Sequence, residues 1–320
     1  MGLSSEQFAD LISGMRSAYA RGENAMTYAR DMLEIQGVGG RNEQIATLIA
    51  YDLQAGTYVE EVRANPEENQ RWCRQLADLI GPVLPQGGSL LEVGVGEATT
   101  LAGVLAELSG TGRAFGFDIS WSRIKVANDW LRDRSQAAEL FVGDLFNIPF
   151  ADNTIDVVYS SHSLEPNGGR ETEAITECLR VARRAVILIE PIYELASSKA
   201  QRRMKHHGYV RGLRETAERL GAEVIGYQLL EHVVNPLNPS GVLAFCKVPS
   251  AFVESLSPLA DQIWQCPLSG VKLEKTPNGF FAPDVGIAYP ILTDVPLLRE
   301  EHAVVASKLI GQSKQFELRD

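Results

Sequence analysis

The chain has 320 residues, of which 45% are hydrophobic and 22% are charged, and its formal net charge is −11 at pH 7. This composition is typical of a folded globular protein with a main domain and additions, and it excludes a disordered or fibrous chain. The acidic balance disfavours a protein that binds bare nucleic acid, because phosphate groups would be repelled.

Three features of the sequence bear on the location of the protein. The N-terminal residues lack the charged and apolar pattern of a signal peptide. No apolar run approaches the roughly 18 residues that a membrane-spanning helix needs. The four cysteines include no C-x-x-C pair, which suits a reducing compartment. We therefore expect a cytoplasmic protein without a membrane partner.

The segment 1–87 is predicted to be helical. Apolar residues recur at helical spacing over 5–35 and over about 42–62, and a glycine-rich stretch at 37–40 separates the two runs. A third helix is predicted to begin at Pro66, with the preceding asparagine as its N-terminal cap. Nothing in these helices indicates chemistry by itself.

A glycine turn follows the first predicted strand. An apolar run over 89–93 predicts a buried parallel strand, and a helix is predicted from Ala98 to Ser109. Between them, Gly94 permits a sharp turn, and Gly96 lets a ligand approach the backbone because no Cβ intervenes. A strand, a tight glycine turn and a helix form the first half of a nucleotide-binding βαβ unit.

The residues around this turn discriminate between cofactors. A dinucleotide-binding loop has a third glycine where this chain has Thr99. Glu92 and Glu97 would repel a pyrophosphate, whereas they would attract a cationic ligand. An NAD-dependent oxidoreductase is therefore disfavoured. Glu97 has an alternative interpretation as a solvated acid at a helix start, where a negative charge is favourable.

Further strands are predicted in the segment that follows. The run 114–119 contains Asp118, which lies 22 residues after Gly96 and so near the spacing of an acid that binds ribose hydroxyls. The runs 140–145 and 185–189 are also predicted to be strands. Because strands and helices alternate, we expect an α/β fold with a doubly wound, mostly parallel sheet.

The pattern E-x-G-x-G-x-A over 92–98 resembles motif I of the class I S-adenosylmethionine (SAM)-dependent methyltransferases, with a methyltransferase-11-like core. The runs that contain Asp118 and Asp144, and the run 153–165, resemble later motifs of this family in the same order. The resemblance implies a Rossmann-like seven-stranded sheet whose last two strands form a hairpin, and it implies SAM as the cofactor.

The resemblance also assigns contacts to the cofactor. Glu92 would face the amino acid portion of SAM, Asp118 the ribose, and Asp144 with its neighbour the adenine. N-terminal helices cover the cofactor in this family, and a tyrosine there reaches the SAM carboxylate; the alternative is that such tyrosines only pack the lid. The expected cofactor-binding residues are Tyr58, Glu92, Gly94, Gly96, Thr99, Asp118, Ile119, Asp144, Leu145 and Ser160.

Catalytic candidates come from loops at the same face of the sheet. His162 is the best placed, because an imidazole titrates near neutrality and can act as a general base. In many relatives a histidine at this position only packs, and this alternative remains open. Glu165 and Glu190 are weaker candidates. The chain lacks the N/D-P-P-Y sequence that would indicate methylation of an amino group in a base or a glutamine side chain.

The segment 197–213 is rich in basic residues. It is either a lid that binds an anionic group of the substrate or a solvated helix face with a loop. Its adjacent histidines have no acid or cysteine at ligand spacing, so we expect no metal ion. The expected substrate-contacting residues are Tyr51, His206, His207, Tyr209 and Asn235.

The segment 257–320 resembles the small zinc-ribbon-like family that includes an activator of RNA and protein methyltransferases. It shares the C-P-x-x-G start at Cys266 and the Y-P-I core at Tyr289. Ser269 stands where the family has its second zinc-binding cysteine, so we expect no zinc. The resemblance implies contact through a sheet edge, either with the core of the same chain or in a dimer. The expected apolar core of this segment is Leu273, Phe280, Tyr289, Ile291, Val295 and Leu297.

The sequence therefore predicts an N-terminal helical lid (1–87), a SAM-binding methyltransferase core (88–250) and an activator-like C-terminal module without zinc (257–320). The leading hypothesis is a methyltransferase that acts on a small molecule, with a hydroxyl as the favoured acceptor. The alternatives are a methyltransferase that acts on tRNA or protein, and a catalytically silent SAM-binding scaffold. A homodimer through the lid helices or the C-terminal module is compatible with the sequence.

Overall fold

The computed structural model describes residues 3–35, 41–233, 235–247 and 263–309. The predicted glycine-rich break at 37–40 lies outside these residues. The predicted boundary between the core and the C-terminal module, at 250–257, lies outside them as well.

The described N-terminal region is helical, but two of the predicted helices are each divided in two. The chain turns at Gly22 (φ 77°) within the predicted helix 5–35, and at Gly56 (φ 104°) within the predicted helix 42–62. These positive φ values favour glycine, which has no Cβ to clash. The helices are α1 (Ser5–Ala20), α2 (Ala25–Ile35), α3 (Arg41–Leu53), α4 (Thr57–Ala64) and α5 (Pro66–Ile80).

A seven-stranded sheet forms the centre of the described molecule, as predicted. Its order is β3-β2-β1-β4-β5-β7-β6, in which the first five strands are parallel and β7 is antiparallel to both of its neighbours. The last two strands therefore form the expected hairpin. The strands are β1 (Ser89–Val93), β2 (Arg113–Asp118), β3 (Glu139–Val142), β4 (Ile155–Ser161), β5 (Ala182–Pro191), β6 (Ala222–Leu229) and β7 (Ser240–Lys247).

Helices cover both faces of this sheet, which explains why its parallel strands are almost continuously apolar. Alternate side chains of β1 enter two separate cores: Leu91 and Val93 enter one, and Leu90 enters the other. The helices that follow the first strand are α6 (Thr99–Glu107), α7 (Trp121–Asp133), α8 (Glu171–Val181), α9 (Ser198–His206) and α10 (Leu213–Arg219).

The C-terminal region forms a second, antiparallel sheet. Its strands are β8 (Glu274–Thr276), β9 (Gly279–Ala282), β10 (Ile287–Leu292), β11 (Val295–Pro296) and β12 (Val304–Val305). Four of the six residues predicted for its apolar core are buried, whereas Ile291 and Leu297 are partly exposed and pack against the two main cores. Cys266 lies buried with its Sγ atom 3.5 Å from the Tyr289 hydroxyl.

This second sheet docks on the edge of the first. Leu297 forms a parallel bridge with Val142 of β3, and the Leu298 N–H donates to the Val142 carbonyl at 2.8 Å. An exposed sheet edge presents unpaired backbone groups that invite association, so this contact covers the free edge of β3. The C-terminal segment thus packs on the core of its own chain.

Candidate functional site

The glycine loop between β1 and α6 has a conformation that only small residues adopt easily. Gly94 and Gly96 have φ values of 68° and 54°. A Cβ on Gly94 would lie 2.2 Å from the Cβ of Ser163, so the loop after β4 packs directly on the glycine loop. The Ser163 hydroxyl also donates to the Val93 carbonyl at 2.7 Å. The carboxyl ends of β1 and β4 therefore meet in one site.

Asp118 lies at the end of β2 and closes the other side of the glycine loop. One carboxylate oxygen accepts from the Gly96 N–H at 3.1 Å, and the other accepts from the Ser120 N–H at 2.9 Å. Burial raises the pKa of Asp118, although the charge of Arg123 opposes this shift. The residue is partly exposed, and its two oxygens can together accept more hydrogen bonds than these backbone groups supply. Asp118 can therefore accept ribose hydroxyls without leaving the loop.

Glu92 lies in the core behind the loop. Only 2% of it is exposed, and its carboxyl accepts a hydrogen bond from the Tyr159 hydroxyl at 2.5 Å. Burial raises the pKa of Glu92 to about 8, although the hydrogen bond from Tyr159 opposes this shift, so burial favours the protonated form of this carboxyl. The predicted contact between Glu92 and the amino acid portion of the cofactor remains a prediction. Burial of Glu92 thus weakens the electrostatic argument from the sequence, which assumed a negative charge on this residue.

Glu97 connects the glycine loop to the N-terminal helices. Its side chain is fully buried, and it accepts from the backbone N–H groups of Gly56 at 2.9 Å and Val59 at 2.8 Å. These groups lie at the start of α4, where backbone donors have no partner within the helix. The interpretation of Glu97 as a solvated acid is therefore wrong, because its carboxylate caps a helix of the lid.

Arg123, on α7, makes a second connection to the lid. It is 4% exposed and donates to the Tyr51 carbonyl and to the Gln54 side chain. Its guanidinium carbon lies 5.0 Å from the centre of the Tyr51 ring and 4.7 Å from that of the Tyr58 ring. Tyr58 in turn lies over Gly96, 3.6 Å from the position of an added Cβ. Both predicted tyrosines are thus brought to the glycine loop.

Replacement of Glu97 by alanine tests this connection. The buried N–H groups of Gly56 and Val59 would lose their acceptor, at a cost of about 1–3 kcal/mol each. We expect the lid to detach more often, with faster proteolysis near Gly56. We also expect about tenfold weaker binding of S-adenosylhomocysteine (SAH), the demethylated product of SAM. The control is Glu60→Ala, which removes an exposed carboxylate from α4. Unchanged proteolysis and affinity in Glu97→Ala would rule out the connection.

The other predicted cofactor residues also lie near the carboxyl ends of parallel strands. Asp144 is partly exposed, and one of its oxygens accepts from the Phe146 N–H at 2.9 Å. Thr99 begins α6, Ile119 follows β2, and Ser160 is buried near the end of β4. Leu145, next to Asp144, is 9% exposed. Ligands of open α/β sheets bind at this edge.

His162 is held between two partners in the loop after β4. Its Nδ1 atom lies 2.6 Å from Glu165 Oε2, and its Nε2 atom lies 2.7 Å from the Ser240 hydroxyl. Burial lowers the pKa of His162, but the hydrogen bond to Glu165 and the charges of Glu190 and Glu165 outweigh it, so the pKa is raised. The Trp72 ring lies 5.8 Å away and covers one side. His162 is therefore oriented and tuned by its neighbours.

Glu165 connects this histidine to two further side chains. Burial would raise the pKa of Glu165, but its bonds to His162, Asn238 and Tyr209 lower it. The Asn238 amide donates to Glu165 at 3.1 Å. Asn235, which the sequence singled out, is exposed, and its side chain accepts from the Leu237 N–H in its own turn. The structure thus brings Asn238, rather than Asn235, to the site.

Glu190 is hydrogen-bonded to the backbone of the loop after β4. It is fully buried, and its two oxygens accept from the backbone N–H groups of Ser163, Leu164 and Glu165 at 3.0–3.1 Å. Burial raises the pKa of Glu190 to about 7, although the charge of His162 opposes this shift. In this geometry Glu190 fixes the loop that carries His162, which is a positioning role.

The three remaining substrate candidates lie at the end of α9. The His207 ring stacks on the Tyr209 ring with centroids 5.4 Å apart, and the His206 ring meets that of His207 edge-on. Tyr209 shares a hydrogen bond with Glu165. His206 and His207 are exposed, so their side chains border the site from the solvent side.

The residues present fit SAM better than a dinucleotide. Arg123 is bound to the N-terminal helices, so the glycine loop offers a pyrophosphate no free cation. A pyrophosphate there would also meet the partly exposed acid Asp118. A hydroxyl-bearing ribose matches the partly exposed Asp118. Among the described residues, no group of three or more His, Cys, Asp or Glu side chains is arranged to hold a metal ion. In the same part of the chain, no helix is long and apolar enough to cross a membrane.

One comparison with known protein families matches the part of the chain that carries these residues. Residues 91–189 match the family model described as a methyltransferase domain. No curated protein sequence matches the chain. The matched segment runs from β1 to β5 and contains the glycine loop, Asp118, Asp144 and His162. The chain is a SAM-dependent methyltransferase, and S-adenosylmethionine is its cofactor.

Several solved structures are similar to the chain at low identity. A complex of the Haloferax volcanii Trm112 methyltransferase activator and the putative methyltransferase matches at 16% identity and a TM-score of 0.48, covering 59% of this chain and 95% of that chain. A putative methyltransferase from Bacillus halodurans matches at 14% identity and a TM-score of 0.44, covering 55% of this chain and 99% of that chain. Geranyl diphosphate C-methyltransferase from Streptomyces coelicolor matches at 14% identity and a TM-score of 0.43, covering 54% of this chain and 80% of that chain.

Proposed function

We propose that the enzyme transfers the methyl group of SAM to a hydroxyl group of a small molecule, with His162 as the general base. The observation that carries this proposal is the His162–Glu165 pair, in a loop that packs on the glycine loop through Ser163. Bound SAM would supply an electrophilic methyl group. Hydroxyl groups are poor nucleophiles until they lose a proton, so a base beside the cofactor fits this acceptor.

The arrangement of the pair supports a defined path for the proton. Neutral His162 would donate a hydrogen bond from its Nδ1–H group to Glu165, which leaves Nε2 as the proton acceptor. The Ser240 hydroxyl lies 2.7 Å from Nε2, so a substrate hydroxyl would reach Nε2 only after the Ser240 side chain rotates and releases this bond. Once Nε2 accepts the proton, the negative charge of Glu165 stabilises the imidazolium. Glu190 holds the loop in place throughout.

The N-terminal helices and the C-terminal module have separate proposed roles. The segment 1–87 would close over the cofactor through Tyr58 and the Glu97 cap. The segment 257–320 would act as an activator-like module within the same chain, supported by the contact between Leu298 and Val142 at the edge of β3. This second role requires no partner chain.

The pH dependence of methyl transfer tests the role of the pair. A general base works when it is neutral, so activity should rise with pH through the pKa of His162. Glu165 raises that pKa. In Glu165→Gln the acid limb of the kcat profile should therefore move to lower pH, with a smaller maximal rate because the base is weaker. The assay follows transfer from methyl-tritiated SAM to a panel of phenols and hydroxy acids. An acid limb at the same pH in both proteins would contradict the proposal.

A further inference from the structure

A basic surface borders the acceptor side of the site. The segment 195–213, which includes α9 and the loop after it, contains no acidic residue and five Lys or Arg residues. Most of these side chains are exposed, among them Arg202 and Lys205. Arg203 differs, because it is only partly exposed and lies on the side of α9 that faces Tyr209.

The guanidinium of Arg203 has an unused donor. Its Nη1 atom is buried and has no hydrogen-bond partner among the described residues. Buried guanidinium N–H groups are almost always paired, because loss of water without a replacement acceptor is costly. The guanidinium carbon lies 5.7 Å from the centre of the Tyr209 ring. Arg203 thus retains hydrogen-bonding capacity beside a ring of the site.

The contacts of Tyr209 lead from Arg203 to the proposed base. The Tyr209 hydroxyl interacts with both Glu165 and Arg203, and Glu165 holds His162 at 2.6 Å. Positive groups from two helices surround His207, which follows α9. Burial lowers the pKa of His207, and so do the charges of Arg203 and His206 on α9 and of Arg30 on α2. The charge of Glu165 opposes this effect on His207, but Glu165 is already paired with His162.

We propose that Arg203 binds an anionic group, a carboxylate or a phosphate, of the same acceptor molecule whose hydroxyl reaches His162. This inference rests on the proposed function, because it specifies the substrate class of that site. Arg203 presents several donors in a planar fork that matches such oxyanions. The acceptor would thus carry an anion at the α9 end and a hydroxyl at the His162 end, with Tyr209 between them. Arg203 would determine specificity, whereas His162 would act on the hydroxyl.

The test compares two adjacent arginines. Arg203→Ala removes the partly buried donor, and Arg202→Ala removes an exposed charge from the same helix. Binding of inorganic phosphate and of 4-hydroxybenzoate to the SAH-saturated enzyme is measured by calorimetry at constant ionic strength. The uncharged 4-hydroxybenzamide serves as the probe without an anion. We expect saturable binding of at least one anion, weakened about tenfold or more in Arg203→Ala and unchanged in Arg202→Ala.

Three results would overturn the proposal. The first is that neither anion binds saturably. The second is that Arg203→Ala and Arg202→Ala lose the same amount of anion affinity. The third applies if 4-hydroxybenzoate binds, and it is that 4-hydroxybenzamide binds equally well. Arg203→Lys keeps the charge and should restore part of the affinity, which separates recognition from a folding defect. The readout does not involve methyl transfer. If His162 proves dispensable for activity while anion binding still requires Arg203, the proposed base fails and the anion site stands.

Discussion

Replacement of His162 by asparagine should lower kcat for methyl transfer by about 10²- to 10⁴-fold, the range that a general base contributes. SAH binding should remain near the wild-type level, because the proposed role of His162 is in proton transfer from the acceptor and not in binding of the cofactor. Asparagine is the preferred substitution because it removes the base with the least backbone strain. His162 has a φ of 58°, and asparagine tolerates this left-handed conformation better than alanine does.

The control for this prediction is His302→Ala, which removes a histidine from the C-terminal segment. It should leave kcat unchanged. Rates are compared at saturating SAM, and the melting temperature of each variant establishes that it is folded. If His162→Asn retains full kcat, the acceptor does not need this base. A packing role for the histidine would then account for its position.

Replacement of Trp264 by alanine should lower the free energy of unfolding by about 3–5 kcal/mol, as expected for a large buried aromatic residue. Trp264 is 7% exposed, and its ring contacts those of Phe115, Phe141 and Phe150 in the core, with centroids 4.6–6.1 Å apart. It also contacts Phe280 of the C-terminal sheet at 4.9 Å. The indole thus joins the two sheets, and its removal should loosen both.

Urea denaturation measures this effect. The control is Leu268→Ala, since Leu268 belongs to the same segment and is 53% exposed. We expect a change within about 0.5 kcal/mol for that substitution. A loss in Trp264→Ala no larger than that of the control would mean that the C-terminal segment rests on the core without completing it.

The strands and the glycine loop could be predicted from the sequence because each has a strong local signal. Apolar runs mark buried strands, and Gly94 and Gly96 mark a turn that other residues adopt poorly. The edge at which Asp118 and His162 meet then follows from the parallel order of the strands. Local patterns predicted the ends of the N-terminal helices less well. The apolar periodicity continues across Gly22 and Gly56, although the helices are divided at these residues.

The contacts that connect distant segments could not be predicted. Glu97 and Gly56 are 41 residues apart, and only the folded chain shows that a carboxylate in the glycine loop caps α4. The choice between Asn235 and Asn238 depends on the turn, since both precede a proline in the same loop. Trp264 lies just before the segment with recognisable motifs, and its place among the core phenylalanines depends on the docking of two sheets.

The most direct measurement is calorimetric binding of SAM and SAH to the wild-type protein and to Asp118→Ala, with NAD as the competing cofactor and Asp129→Ala as the control. Asp129 is exposed on α7. Loss of the Asp118 carboxylate would remove the proposed hydrogen bonds to the ribose and would leave the Gly96 N–H without its acceptor, so we expect about tenfold to hundredfold weaker binding in that variant alone. Micromolar binding of SAM and SAH that depends on Asp118, without binding of NAD, is the predicted result. Failure of the wild-type protein to bind SAM or SAH, or equal affinities in both variants, would contradict a SAM site at the glycine loop.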